Sequence, residues 1–524
     1  MLSGLYGNPH SDSAPAALSG EMIDATREKA LRFFGANPED YDLIFVANAT
    51  AAIKLVIESF RDLAASDHYG SSNNFRYAYH KDAHTSLVGV RELTNNHWCF
   101  HSDEEVEAWL KGDEELDQRF TREENDKPCL FAYPGQSNMT GRRLPLGWIS
   151  RLRESSLSRH RNSYSLLDAA ALAMNSSLKN VFKDAEKAPD FTSLSFYKIF
   201  GFPDLGALIV RRSSSHILTW RKYFGGGTVD MVSVMDKKGW HRLKDYTLHD
   251  GLEDGTLPFH SILALDCAID VHERLYGSMD NISRHTQFLA KRLYDGLRRR
   301  YHSNGQPLVV IHNDPGNYYD DSTTQGATVA FNLKDSNGDF IPFQDVEQSA
   351  DSKEIYLRSG GLCNPGGVAT YLNLRPWEFK RNWSSGYRCG SNDSPKLIAG
   401  KPAGVVRASL GPMNTVADVD MFLEFLAEMY CEKEGRLDED IEVRPRAVED
   451  VNSWERSTNY KELGQQTQPW QQSIATAMAN NNQQNWCHEN QEFHATTRVQ
   501  EGGETPTTEE EKGIWKIKQV AAAA

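Results

Sequence analysis

Ser193–Val210, SLSFYKIFGFPDLGALIV, sets one lysine, Lys198, inside an apolar and aromatic run that reads as two short strands joined by a Gly-Pro turn. An ammonium group that gives up water loses several kcal/mol unless a partner or a lowered pKa relieves it. Either the side chain snorkels from a strand edge to the surface, or the fold has a use for a buried amine. Upstream, the run YSLLDAAA ends in Asp168, again an ionisable group at the end of an apolar segment. Alone, that carboxylate reads equally as a helix cap.

Around these two residues the chain alternates strand and helix. EMIDATREKALRFFG is an amphipathic helix ended by Gly35, DLIFVAN is a strand, and TAAIKLVIESFRDL is a helix opening on Thr50. FRYAYHKDAH and TSLVGVREL repeat the order, and CLFAYP, PLGWISRLRESSL and YSLLDAA continue it. Such βα alternation predicts an α/β fold with a mostly parallel sheet covered on both faces, and functional loops at the carboxyl ends of its strands. After LEDGTLPF the pattern changes to the longer helices LALDCAIDVHERLYG and TQFLAKRLYDGLRRRY, then to the strand-like QPLVVIH and ATVAFNL. We therefore expect a large domain over 1–258, a smaller α+β domain over 259–432, and a polar, low-complexity, disordered tail over 433–524 in which IWKIKQV is a docking peptide.

A chain of 524 residues exceeds what a single core accommodates. Its net charge of −15 argues against a sequence-independent grip on nucleic acid or on an anionic membrane. No apolar run approaches the roughly 20 residues that span a bilayer, and MLSGLYGNPHSDS carries no signal pattern, so the expectation is a soluble, cytoplasmic protein. The cysteines, at 99, 129, 267, 363, 389, 431 and 487, form neither a disulfide framework nor a zinc pattern.

Asp168 and Lys198 together match the needs of pyridoxal phosphate. That cofactor takes an amine at its aldehyde and an anion at its ring nitrogen, which lets the ring withdraw electrons from a substrate carbanion. Its phosphate wants free N–H groups at a helix start, and Asn48, Ala49 and Thr50 open a helix directly after a strand. An ordinary threonine cap has the same letters. Ser195 adds a hydroxyl beside the lysine, His84 of HTS is placed to stack on a ring, and Asn138 of QSNMTG is placed to donate to a phenolic oxygen.

These features resemble the fold-type I, class V aminotransferase superfamily, which includes cysteine desulfurases. The blocks NPHS, NATAAIKLV, SFYKIFGFPDLGALIVRR, YFGGGTV, DGTLPF, RSGGLCNPGG, GYRCG and GKPAGVVRASLG, in that order from about Tyr6 to Asn414, are similar to the aminotransferase-like domain of the molybdenum cofactor sulfurase family. The resemblance implies that Lys198 binds the cofactor covalently, Asp168 pairs with its ring nitrogen, His84 stacks on it, and Asn138 bonds its oxygen. It implies that Ala49, Thr50 and Ser195 hold the phosphate, and that Thr256 reaches the phosphate of the partner in a homodimer. It also implies that Cys363, at the RxGxxC spacing of RSGGLC, carries a persulfide on a glycine-rich mobile loop. Arg407 of RASLG would clamp the carboxylate of an L-cysteine substrate, and the sulfur would pass to molybdenum cofactor.

The chain departs from the family pattern in several places. It starts at about the NPHS block, without the upstream YLDxA-type strand, and has no counterpart of the carboxyl-terminal β-barrel domain. Ala171 stands where desulfurases carry Gln, Tyr197 replaces the histidine before their lysine, and Gly361 and Val368 replace extra cysteines. Three readings follow: a desulfurase of the sulfurase type, a paralogous C–S lyase or C–C bond-forming enzyme using the same cofactor, and a non-catalytic binding partner. Retention of Lys198, Asp168, Cys363 and Arg407 together argues against the last.

Overall fold

Strands buried on both faces form the centre of the molecule. A computed structural model describes residues 4–66, 75–112, 127–235, 237–391 and 393–431; the expected tail, with IWKIKQV and Cys487, lies outside the described residues. Seven strands, β1 (Tyr41–Val46), β2 (Arg76–His80), β3 (Asn96–Phe100), β4 (Cys129–Pro134), β5 (Ser163–Asp168), β6 (Phe191–Ser195) and β7 (Gly206–Arg211), lie in the order β1-β7-β6-β5-β4-β2-β3. All neighbours are parallel except β7, which runs antiparallel to both β1 and β6. Alternate residues feed opposite cores, as the period of two requires. Leu43, Phe45, Phe131 and Leu167 face one apolar cluster, while Ile44, Leu130, Ala132 and Leu166 face the other. The expected mostly parallel sheet covered on both faces is therefore present.

A hairpin of β8 (Val229–Ser233) and β9 (Trp240–Leu243) follows. A second, antiparallel sheet then combines β10 (Val309–His312), β11 (Thr328–Lys334), β13 (Arg358–Gly360) and β14 (Val405–Ser409) in the order β10-β11-β14-β13, with β12 (Phe340–Ile341) on β11. Its core is closed by Leu289, Leu293 and Leu297 of the helix Met279–Arg298 and by Val419, Phe422 and Leu426 of the helix Val416–Tyr430. The helix Phe259–Tyr276, expected to open the second domain, instead sends Ile262, Leu265 and Ile269 into the core of the large sheet. The helix itself is read from sequence, but which sheet it covers is a long-range choice. No helix among the described residues is long and apolar enough to cross a membrane.

Candidate active site

The opening stretch folds differently from two strands meeting at a turn. Strand β6 ends at Ser195, and Phe196–Phe200 makes a single helical turn stopped by Gly201 at φ +77°, before β7 returns. Phe196 and Ile199, three apart, anchor this turn in the core, leaving Tyr197 and Lys198 half-buried. Lys198 thus stands at the carboxyl edge of the sheet. Burial lowers its pKa; Asp168 opposes this, and the charge of Arg407 adds to it.

The carboxyl ends of β1, β2 and β5 lie at the same edge of the sheet as that lysine. After β1, Asn48 caps the helix Ala49–Ala64 by accepting from the Ala51 N–H, so the helix opens at Ala49 rather than on Thr50. The Ala49 N–H donates to the Ser195 hydroxyl at 3.2 Å. Strand β7 passes so close beneath that a Cβ on Gly206 would lie 2.5 Å from the Cα of Asn48. After β2, His84 caps a short helix, its Nδ1 accepting from the Ser86 N–H at 3.1 Å, and the Ser86 hydroxyl in turn meets Thr50 Oγ1 at 2.8 Å. Sequence reasoning missed Ser86, although HTS contains it. Burial and the nearby charge of Lys198 lower the pKa of His84, against the pull of Asp168.

Asp168, at the end of β5, is buried, 7 % exposed. One oxygen accepts from the Ala170 N–H at 3.0 Å and from the Ser193 hydroxyl at 3.5 Å. The local turn therefore exists, yet the other oxygen has no hydrogen bond among the described residues and remains for a ligand.

Arg407 and Cys363 arrive from the smaller sheet. Arg407, on β14, is 5 % exposed. It donates from Nη1 to the Asn138 carbonyl at 2.7 Å, while its buried Nε has no partner. Desolvation, aided by Arg358, pushes its pKa down to about 10. That is a guanidinium in want of an anion. Cys363 is exposed, and a thiolate there would favour the charged forms of Lys198 and Arg407.

The Cys363 loop is pinned rather than loose. The Thr85 N–H donates to the Cys363 carbonyl at 2.8 Å, and Asn138 Nδ2 donates to the Leu362 carbonyl at 2.7 Å. Asn364 donates to the Asp82 carbonyl at 3.1 Å and to Asn138 Oδ1 at 3.1 Å, and accepts from the Gly367 N–H at 2.8 Å. The expectation that the glycines supply mobility misreads two of them. A Cβ on Gly366 would lie 2.0 Å from the Lys81 carbonyl oxygen, and one on Gly367 2.7 Å from Met139 Sδ, so they permit close packing. Asn138, assigned to a cofactor oxygen from sequence, here spends its amide on this loop. Thr256 is exposed in the turn before the helix Phe259–Tyr276, and no hydrogen bond or ion pair among the described residues joins it to the other predicted site residues.

A half-buried amine, a carboxylate with a spare oxygen, a helix start beside hydroxyls and a guanidinium whose Nε lacks a partner fit an anionic, ring-nitrogen cofactor with an aldehyde. The chain belongs to the class-V aminotransferase family, whose profile matches residues 1–422; this is a pyridoxal-phosphate-dependent family. It is 52 % identical over 432 residues to a molybdenum cofactor sulfurase of Botryotinia fuckeliana, covering 82 % of this chain and 51 % of that protein. The chain thus spans about half the length of the curated relatives it matches. Its fold is that of the cysteine desulfurases. The apo structure of cysteine desulfurase from Thermococcus onnurineus NA1 superimposes with a TM-score of 0.57 at 18 % identity, over 82 % of this chain and 89 % of that one. A complex between the cystine C–S lyase C-DES and its product cysteine persulfide superimposes with a TM-score of 0.54 at 14 % identity, over 81 % and 91 %. The shared fold therefore does not separate a desulfurase from a lyase.

Proposed function

We propose that the chain is a cysteine desulfurase of the molybdenum cofactor sulfurase type, moving sulfur from L-cysteine onto Cys363 and from there to molybdenum cofactor. The observation that carries this reading is the exposed Cys363 thiol on a loop whose Cys363 carbonyl accepts from the Thr85 N–H, the residue next to His84. Elimination by a lyase needs no such thiol.

Bound at Lys198, pyridoxal phosphate supplies an electron sink for the bonds around the substrate's α-carbon. The helix start at Ala49, with the hydroxyls of Thr50 and Ser195, would hold its phosphate, His84 would cover the ring, and the spare oxygen of Asp168 would keep a proton on the ring nitrogen. Arg407 receives the carboxylate of L-cysteine through its unpartnered side. Lys198, its charged form disfavoured by burial, takes a proton from the α-carbon. The Cys363 thiolate bonds to the substrate sulfur and the substrate C–S bond breaks. The bonding pair stays on carbon and is protonated, alanine leaves, and Cys363 retains the extra sulfur as a persulfide.

We extend the reading to a cytoplasmic homodimer. The hairpin exposes Met231, Val232 and Trp240, with Val234, Met235 and Tyr246 beside them, an apolar surface of the kind a second copy covers. Thr256 would there reach the second copy's phosphate. The deciding experiment gives the purified protein pyridoxal phosphate and L-cysteine and measures alanine and the persulfide on Cys363. A desulfurase makes both and loses both in Cys363→Ser. Sulfide release at an unchanged rate in that variant would establish the lyase instead.

A further inference from the structure

One charge cluster behind the site has no part in this chemistry. Arg142, its side chain 15 % exposed, meets three carboxylates: Asp82 at 3.0 Å from Nη1, Asp314 at 2.5 Å from Nε, and Asp103 through Nη2. Asp103 also lies 3.3 Å from His80 Nε2, and Asp314 accepts from the Tyr371 hydroxyl at 2.8 Å. Burial works against the charge of Arg142, but the surrounding carboxylates outweigh it and raise its pKa.

The partners of Arg142 belong to the elements that carry the site. Asp82 stands two residues before His84, and its carbonyl receives the Asn364 amide. Tyr371 ends the helix Pro365–Tyr371, whose first turn directly follows Cys363 and Asn364. Arg142 itself follows Asn138 on the turn that bonds the Leu362 carbonyl. One guanidinium thus ties the loop of His84, from the large sheet, to the far end of the helix that seats the thiol. We propose that Arg142 is a positioning residue for sulfur transfer, holding the Cys363 seat against the His84 loop through Asp82 on one side and Asp314–Tyr371 on the other. This rests on the desulfurase reading. A lysine could satisfy only part of the set, because the three carboxylates are met by three different nitrogens of a planar fork.

Removing Arg142 would strand the buried Asp82 carboxylate, so the informative variants are Asp314→Asn and Tyr371→Phe, which loosen only the helix end. Asp314 is 43 % exposed in its side chain, so neutralising it strands no buried carboxylate. In the full-length holoenzyme we expect each variant to lower kcat for alanine formation about tenfold, with KM for L-cysteine and the cofactor absorption band unchanged. Their double variant should lose little more than either alone, because they cut one chain at two links, Arg142 to Asp314 Oδ2 and Asp314 Oδ1 to Tyr371. In the apoprotein, the rate of Cys363 alkylation by iodoacetamide, followed at that peptide by mass spectrometry, should change while that of Cys389 does not. The proposal is overturned if kcat and Cys363 alkylation both stay at wild-type values, or if kcat falls only in step with lost cofactor or lost folded protein. Should the wild type make no alanine, the desulfurase reading fails, and the alkylation rates still decide whether Arg142 positions the thiol.

Discussion

The groups around Lys198 come from successive strand ends of one sheet, whereas Cys363 is held by residues far from it in sequence. Ala49, His84, Asp168 and Ser195 each lie within a few residues of a strand's end, and the helix caps that shape the site are local hydrogen bonds. At the thiol, Leu362 and Cys363 both adopt left-handed backbone, at φ +53° and +52°. For non-glycine residues that conformation costs about 1–2 kcal/mol each. Hydrogen bonds from Thr85, Asn138 and Asn364 offset it. On the proposed reading, cofactor binding would depend on one sheet and the sulfur step on how two sheets meet, so the two should fail separately.

The largest effect should come from Lys198→Ala, which removes the proposed covalent anchor. The visible absorption band and its fixation by borohydride should vanish, together with alanine formation. A surviving band would place the anchor elsewhere.

Next, Asp168→Asn keeps the hydrogen bond from the Ala170 N–H within reach but cannot hold a proton on the ring nitrogen. Turnover should fall by about 10²–10³ with cofactor still bound. If the carboxylate serves only its local turn, stability and turnover both stay near wild type, because an asparagine oxygen accepts from the same Ala170 N–H.

A paired glycine test addresses the comparison directly. Gly366→Ala puts a methyl against the Lys81 carbonyl and should displace the thiol, lowering alanine formation about 10²-fold while cofactor titration remains as in the wild type. Gly206→Ala drives a methyl into Asn48 and should weaken cofactor affinity first. Identical phenotypes would mean that cofactor site and thiol seat are one cooperative unit.

The smallest effect is a shift in pH dependence. The neutral amine of Lys198 captures the cofactor, and burial lowers its pKa, so capture by the apoprotein should rise with pH through a midpoint below that of ordinary lysine. Arg407 disfavours the ammonium, so Arg407→Met should move the midpoint up. Asp168 favours it, so Asp168→Asn should move it down. Stopped-flow absorbance across pH reads both signs, and a common direction would refute the assigned electrostatics.

Strand and helix alternation, and with it the parallel sheet, is legible because buried strands are short continuous apolar runs and helices carry a 3.6-residue period. Lys198 and Asp168 are legible for the same reason, as charges in runs that otherwise exclude them. Ser86, Asn364 and Arg142 are not, because nothing in HTS, CNPG or TGRR distinguishes a serine, an asparagine or an arginine at a junction from one in water. The five-residue turn under Lys198 is also missed; an aromatic run this short suits strand or helix equally until Phe196 and Ile199 find their core.

Sequence by itself determined the chemical types in the site and the strand ends that carry them, since hydrophobic periodicity and capping act over a few residues. Only the tertiary structure decided that the helix Phe259–Tyr276 covers the large sheet, that Gly366 and Gly367 serve packing, and that Asn138 bonds the Cys363 loop. Those outcomes depend on which surfaces meet across hundreds of residues, where excluded volume and the pairing of buried polar groups, rather than local propensity, select the arrangement.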